Sequence, residues 1–232
     1  MEELKQKEYQ AKQLLNRAEY KALQAQVNPH FLYNTLDTMA SIAEIRNCPE
    51  VSHMSQSLAL IFRYSLNMKD PFSTVENEIA HLKNYIYVMD MRMHDNIQYT
   101  FDVDEMTLKS KLPRLSLQPI VENAINHGLR NKRGKKKIGI QIKREQMDLV
   151  ICIEDNGIGL DTSAINESLR KNELDFVEKG NSIGLHNINA RLKMLYGNQY
   201  GMHLESTLGE GTKVFMILPD SGEDSNNEEK DI

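Results

Sequence analysis

At 232 residues, 40% of them hydrophobic and 26% charged, the chain suits one large domain or two of ordinary size, with a real core to bury. A net charge of −5 argues against nonspecific nucleic-acid binding, and with neither a signal peptide nor a run approaching about 18 apolar residues the sequence contains no membrane span. Cys48 and Cys152 stand far apart without metal-ligand spacing, and Cys152 lies in an apolar run, so both read as thiols of a reducing cytoplasm, Cys152 as a core residue.

Met1 to Ala25 is polar, rich in Gln, Lys, Glu and Ala, and free of Gly and Pro. Leu4, Glu8, Ala11, Leu15, Ala18, Ala22 and Ala25 alternate four and three apart, a heptad seam that is Ala-rich and carries Glu8 at a core position. A weak coiled coil and a solvated single helix both fit. Because the helix opens uncapped, it reads as the continuation of a longer helix.

Gln26 to Asn34 reads Gln-Val-Asn-Pro-His-Phe-Leu-Tyr-Asn. Asn28 before Pro29 is a helix-start signature: Asn is a favoured cap, and Pro loses nothing at the first helical position. His30 then sits in the first turn, where unpaired backbone N–H groups and the helix dipole favour added negative charge such as a phosphoryl group. On position alone an ordinary helical histidine fits as well. From Pro29 to Arg46, Phe31, Leu32, Thr35, Leu36, Met39, Ile42, Ala43 and Ile45 form a broad apolar face, with His30, Tyr33, Asn34, Asp37, Ser41 and Glu44 opposite.

A second helix follows from about Glu50 to Asn67, its apolar face made by Val51, Met54, Leu58, Ile61 and Phe62. The short turn at Asn47-Cys48-Pro49 makes the pair an antiparallel hairpin, whose remaining apolar face predicts a dimeric four-helix bundle. A third helix, capped by Ser73 or Thr74, runs to about Met93 with Ile79, Leu82, Ile86 and Met89 inward. The period then changes. Ile97, Tyr99, Phe101 and Val103 alternate in a half-buried strand. A helix from Leu115 to about Gly128, strands at 138–142 and 149–153, a polar loop at 161–182, a helix at 183–196 and strands at 202–207 and 213–218 complete an α+β two-layer sandwich of helices and antiparallel strands. Residues 220–232 are acidic and apolar-poor, and so read as disordered. The expected division is thus 1–25, a helical domain at 26–94, a mixed α+β domain at 95–219 and the tail.

Four patches of the second domain concentrate chemistry. Leu117 to Gly128 crowds Glu122, Asn123, Asn126 and His127 onto an otherwise apolar helix, with Asn123 and His127 sharing a face; an Asn carbonyl oxygen suits Mg²⁺. Glu154-Asp155-Asn156-Gly157-Ile158-Gly159 follows a buried strand, offering a carboxylate for an exocyclic amine and glycines for close backbone approach. Gly180 to Asn187, including Ser182, Gly184 and Leu185, is a Gly-bearing turn that opens a helix, an arrangement suited to phosphate. Gly209-Glu210-Gly211-Thr212 alone reads as a hairpin turn. The basic run from Arg130 to Lys137 fits a solvated hairpin loop or a triphosphate contact. His53, His81, His94, His186 and His203 have no metal spacing and read as surface or structural; Tyr33 and Tyr64 read as packing residues.

Each patch alone is weak, but in this order and spacing they resemble the N, G1, G2 and G3 boxes of the ATP-binding (GHKL, or Bergerat) domain shared by gyrase, Hsp90, histidine kinases and MutL. Gln26 to Asn34 resembles the phosphoacceptor motif of LytS/YesM-type sensor histidine kinases, as do Leu60 to Leu66, Tyr85 to Arg92, Gln118 to Ala124 and Arg191 to Gly197. The resemblance covers roughly Leu23 to Pro219. It implies His30 as the phosphorylated residue, Asn123 as the Mg²⁺ ligand, Glu122 beside it in the position linked to catalysis, and Asp155 as the adenine-binding carboxylate. It further implies nucleotide contacts at His127, Gly157, Gly159, Ser182, Gly184, Leu185, Gly209, Gly211 and Thr212, and an ATP lid over 161–182. Ser182 stands where that box usually has Gly.

The resemblance also implies ATP and Mg²⁺ as cofactors, a homodimer, a response regulator that takes the phosphoryl group on an aspartate, and a sensor with membrane spans before Met1. Many related kinases place an acid directly after the histidine; Phe31 occupies that place here, leaving Asn34 and Asp37 as candidates to orient the imidazole. A nucleotide-driven clamp on the same fold and an ATP-binding pseudokinase scaffold remain as other readings.

Overall fold

The computed structural model describes residues 29–66, 70–93, 96–171 and 183–220. The expected helix over 1–25, the Asn28 cap, Ser182 and the tail beyond Asp220 lie outside these residues. The chain divides into two compact units, Met1–Leu66 and Asn67–Ile232.

The first unit is a helical hairpin of α1 (Pro29–Ile45) and α2 (Pro49–Leu66). A positive φ of 53° at Asn47, which tolerates the left-handed region, reverses the chain, and the Cys48 N–H closes the turn onto Ala43 O at 2.8 Å. Periodicity predicts that the large apolar residues close this hairpin. The positions most buried are instead small: Ala40 and Ala43 on α1, Ser52, Ser55, Ser57 and Ala59 on α2. Small side chains let the helices approach closely, and the large residues Phe31, Met39, Ile42, Ile45, Val51 and Leu60 stay exposed.

In the second unit, β1 (Phe72–Thr74) leads directly into α3 (Val75–Met93). Strand β2 (Ile97–Val103) follows, then a short 3₁₀ turn (Glu105–Thr107) and β3 (Lys111–Pro113), which pairs antiparallel with β1. Helix α4 (Gln118–Asn123) passes into a π-helical turn (Ala124–Leu129), followed by β4 (Lys136–Glu145) and β5 (Asp148–Asp155). Then come α5 (Ser163–Lys171), α6 (Ile183–Tyr196), β6 (Gly201–Thr207) and β7 (Gly211–Pro219).

The main sheet has the order β2-β4-β5-β7-β6. All its pairs are antiparallel except β2 with β4, which run parallel in the register Tyr99↔Ile138 and Phe101↔Ile140. The purely antiparallel expectation is corrected here: the crossover through β3 and α4 is long enough to bring β4 back in the same direction. One face of this sheet, including Ile138, Ile140, Ile151, Ile153 and Met216, packs against Ile79, Leu82, Ile86 and Met89 of α3, with α4 and α6 completing the helical layer. Each such fully buried Leu or Ile contributes about 1.5–3 kcal/mol.

Helix α3 therefore belongs to the core of the sheet unit, whereas the pattern alone groups it with the hairpin. Cys152 is half-buried, because side chains alternate along β5 and its neighbours Ile151 and Ile153 take the core face. Asp220 is ordered, its carboxylate paired with Arg144 and its N–H donated to Met147 O.

Candidate functional site

Within the hairpin, His30 is exposed in the first turn of α1, and Asn34 brings its Nδ2 to 3.2 Å from the His30 Nδ1. The i, i+4 spacing makes this pair, and the amide offers a donor on one side and an acceptor on the other. Asp37 lies almost a further turn along and is also exposed. Tyr33 turns toward α2, its hydroxyl donating to Phe62 O at 3.4 Å and its ring under the Arg63 guanidinium at 5.4 Å, so it packs rather than reacts.

In the sheet unit a cavity of about 440 Å³ opens between α4, its π turn, α6 and the ends of β5 and β7. Its walls include Ile120, Ile153, Ile165, Leu185, Leu204 and Val214, and one carboxylate, Asp155, reaches in. Asp155 is 6% exposed at the last position of β5, paired across the ladder with Thr212. Burial pushes its carboxyl above the ordinary value, against the backbone N–H groups of Gly157, at 2.7 Å, and Thr212, which favour the charged form.

Glycines make the seat for that carboxylate. A Cβ at Gly128 would lie 2.6 Å from Asp155 Oδ1, and one at Gly157 would collide with the Gly128 carbonyl. Gly211, at φ 138°, passes the Asp155 carbonyl too closely for any side chain. The loop is then laced together: Ile158 N–H donates to Gly128 O at 3.1 Å and Gly209 N–H to Ile158 O at 2.7 Å. Asn156 ties the turn to β4, accepting from Lys137 N–H at 2.8 Å and donating to Lys135 O at 3.0 Å. Ser206 joins the rim by accepting from Leu160 N–H at 3.0 Å, donating to Gly211 O at 2.7 Å and meeting the Thr212 hydroxyl at 3.0 Å.

The first box passes from α- to π-helix at Asn123. The wider π turn brings Asn123, Asn126, His127 and Gly128 all to the cavity. Asn123 Nδ2 is buried without a hydrogen-bond partner, and the same amide carries the oxygen a hard cation prefers. Among the described residues no group of three or more His, Cys, Asp or Glu can hold a metal, so a cation here would share Asn123 with oxygens brought by a ligand and water.

Asn123, His127, Asp155, Gly159, Leu185 and Thr212 all line the one cavity. Gly157, Gly184, Gly209 and Gly211 stand behind it: Gly184 packs on Pro119 and near Asn123, and Gly209 turns the β6–β7 hairpin at φ 86°. Glu122 is exposed outside the lining, on the side of Tyr85, whose hydroxyl is pushed up to about 12 by burial first and the Glu122 charge second. Arg130 and Asn131 reach the rim while most of the basic run stays exposed. Absent from the sequence candidates are Gly128, whose only signal is its place at the end of a polar helix, and the apolar wall, which nothing distinguishes from ordinary core.

A family model described as "Histidine kinase" matches residues 18–97, and one described as "Histidine kinase-, DNA gyrase B-, and HSP90-like ATPase" matches residues 111–222. The chain is 32% identical to "Sensor histidine kinase YesM" of Bacillus subtilis over 94% of its own length and 36% of the relative's. It is 33% identical to "Sensor protein LytS" of Oceanobacillus iheyensis over 90% of its length and 35% of that protein's. It therefore spans about a third of the length of these relatives. Among solved structures, the catalytic domain of the histidine kinase ThkA aligns with a TM-score of 0.49 at 15% identity, covering 66% of this chain and 98% of that one. Matched by both models in sequence, one over the hairpin and α3 and one over the rest of the sheet unit from β3 onward, the chain belongs to the sensor histidine kinases of the LytS/YesM type.

Proposed function

We propose that the chain binds Mg·ATP in the cavity of the sheet unit, transfers the γ-phosphoryl group to His30, and passes it on to an aspartate of a response regulator. The observation that carries this reading is the cavity itself: a largely apolar slot whose lining includes one buried carboxylate, Asp155, and the Asn123 amide. The Asp155 carboxylate accepts from the adenine exocyclic amine, and the apolar walls cover the ring. Asn123 supplies an amide oxygen to the Mg²⁺ that neutralises phosphate charge. Ser182, outside the described residues, is a proposed nucleotide contact, and Gly157, Gly159, Gly184, Leu185, Gly209, Gly211 and Thr212 shape or line the nucleotide's bed.

At His30, an imidazole nitrogen lone pair attacks the γ-phosphorus, the N–P bond forms as the bond to the β–γ bridging oxygen breaks, and ADP leaves. Asn34 is the proposed orienting residue, its Nδ2 3.2 Å from the ring Nδ1; with the amide turned over, its Oδ1 would accept from Nδ1–H and leave the lone pair on Nε2. Glu122, exposed beside Asn123, is the proposed acid–base group near the transferring phosphoryl, and Asn34 also suits positioning of water for dephosphorylation of a partner.

The exposed apolar residues of the hairpin support a homodimer formed there, with the response regulator docking on the same helices. Among the described residues no helix is long and apolar enough to cross a membrane; the sensory input and membrane seat are proposed for the parts of the parent protein outside this chain. Incubation with γ-labelled Mg·ATP tests the reading. Acid-labile, base-stable label that vanishes in His30→Gln is expected. Phosphate release without label would favour the clamp, and neither label nor release the pseudokinase scaffold.

A further inference from the structure

A buried polar node lies behind the cavity, outside its lining, and the phosphoryl chemistry above does not use it. Glu78 of α3 is 1% exposed. Its carboxylate accepts three consecutive backbone N–H groups: Leu115 at 2.7 Å on Oε1, and Ser116 at 2.9 Å and Leu117 at 3.2 Å on Oε2. Leu115 is held at φ 59°, a conformation a branched apolar residue adopts only when its surroundings impose it. One turn further along α3, His81 Nε2 meets Gln118 Oε1, on the first residue of α4, at 2.7 Å. The Ser116 hydroxyl donates to Pro113 O at 2.5 Å and accepts from Arg191 Nη2 of α6 at 3.1 Å. The Arg191 guanidinium is pushed down by burial and pulled up by the Glu78 charge, which places the two within electrostatic reach.

So one carboxylate organises the strained entry to α4, the helix that ends at Asn123, and the same entry is tied to α6, which carries Gly184 and Leu185 at its start. An ordinary core helix needs none of this. Charge-assisted bonds to three adjacent N–H groups fix a backbone more tightly than apolar packing does. We infer that Glu78 is a positioning residue for the cation-binding end of the cavity: by holding residues 115–117 it sets the helix register that aims the Asn123 amide. The inference rests on the reading of Asn123 as the Mg²⁺ ligand of bound ATP. The adenine end, with Asp155 on β5 and Thr212 on β7, meets α4 and its π turn chiefly at Gly128, so the node reaches it less directly than it reaches Asn123.

That asymmetry gives the test. Affinities of the full chain for adenosine without Mg²⁺, and for ATP with and without Mg²⁺, are measured for wild type, Glu78→Gln, Ser116→Ala and Asn123→Ala. Ile86→Val serves as a control that loosens α3 without touching the node. Gln keeps the shape but turns an N–H₂ toward backbone N–H groups. Glu78→Gln is expected to bind adenosine as wild type does while the Mg²⁺-dependent gain in ATP affinity falls about tenfold. Ser116→Ala, the milder change and the fallback should Glu78→Gln not fold, loses part of that gain, and Ile86→Val keeps it. An undiminished gain in Glu78→Gln or, should that variant not fold, in Ser116→Ala would overturn the inference, as would adenosine binding that falls in parallel. If Asn123→Ala loses the gain and Glu78→Gln does not, only the role of Glu78 fails. If wild type shows no gain, or Asn123→Ala keeps it, the reading of Asn123 fails and the inference with it.

Discussion

The two units of this chain handle their apolar residues in opposite ways. The sheet unit buries Ile138, Ile140, Ile142, Leu149, Ile151, Leu192, Met216 and Leu218 at 1% exposure or less. The hairpin buries alanines and serines and leaves Phe31 66%, Ile42 55% and Ile45 78% exposed. The sheet unit closes a core of large apolar side chains, while the hairpin's large apolar residues form the face proposed to meet a second copy. The contrast matches the division of labour proposed for them. A nucleotide site needs a rigid seat, because Asp155 works only if three glycines and the β5–β7 ladder hold it in place. A phosphoacceptor must be reachable, and His30 is exposed on a helix whose outer face keeps its large apolar residues exposed.

The largest expected effect breaks the hairpin side. Ile42→Asp combined with Ile45→Asp should abolish the proposed dimer in analytical ultracentrifugation, since each apolar side chain removed from an interface forfeits about 1.5–3 kcal/mol. The sheet unit should keep its thermal transition and its ATP affinity.

Next, on the other side, Asp155→Asn should weaken ATP binding about tenfold to a hundredfold in calorimetric titration, the worth of a hydrogen bond to a charged group. Its thermal stability at neutral pH should not fall. The sign follows from burial: the folded carboxyl holds its proton more tightly than the unfolded one. The wild-type contribution is therefore most favourable below the ordinary carboxylate value of 3.8 and is lost as pH rises through the raised folded value. Asn removes that slope, which a pair of melting curves at pH 4 and pH 7 would detect. By the same logic ATP affinity of the wild type falls as pH drops through the raised value, because the exocyclic amine needs the ionised acceptor.

Gly128→Ala comes third. Its Cβ would press on the Asp155 carboxylate, costing about 1–3 kcal/mol of overpacking and lowering ATP affinity without altering the dimer. Smallest is Asn34→Ala, which removes one exposed hydrogen bond to His30 and should slow phosphoryl labelling up to about tenfold with ATP affinity intact.

Most of this contrast was legible in the sequence, and the exceptions have physical causes. The inward residues of α3 and the alternation in β2, β4 and β7 show in plain periodicity, and Asp155, Asn123 and Thr212 were recognisable from their boxes. Helix α5 hides inside a polar stretch because only Ile165 and Leu169 mark its apolar side. Strands β1 and β3 are three residues each, too short for any period to register. The parallel pairing of β2 with β4 depends on a crossover that local pattern does not encode. The π turn depends on how the Asn126–Gly128 segment meets β5, and Glu78 looks like one more surface acid in Glu-Asn-Glu until the chain returns with residues 115–117. Within the hairpin the pattern marks the apolar residues correctly but cannot say which of them face the intramolecular partner.

The proposed chemistry is divided between the units, phosphoacceptor on one and nucleotide on the other. The most direct measurement runs Mg·ATP binding and γ-phosphoryl labelling in parallel on His30→Gln and Asp155→Asn. The expected result is a dissociation: His30→Gln binds ATP as wild type does and takes no label, while Asp155→Asn loses binding and label together. Label persisting in His30→Gln, or wild-type binding and labelling by Asp155→Asn, would contradict this division.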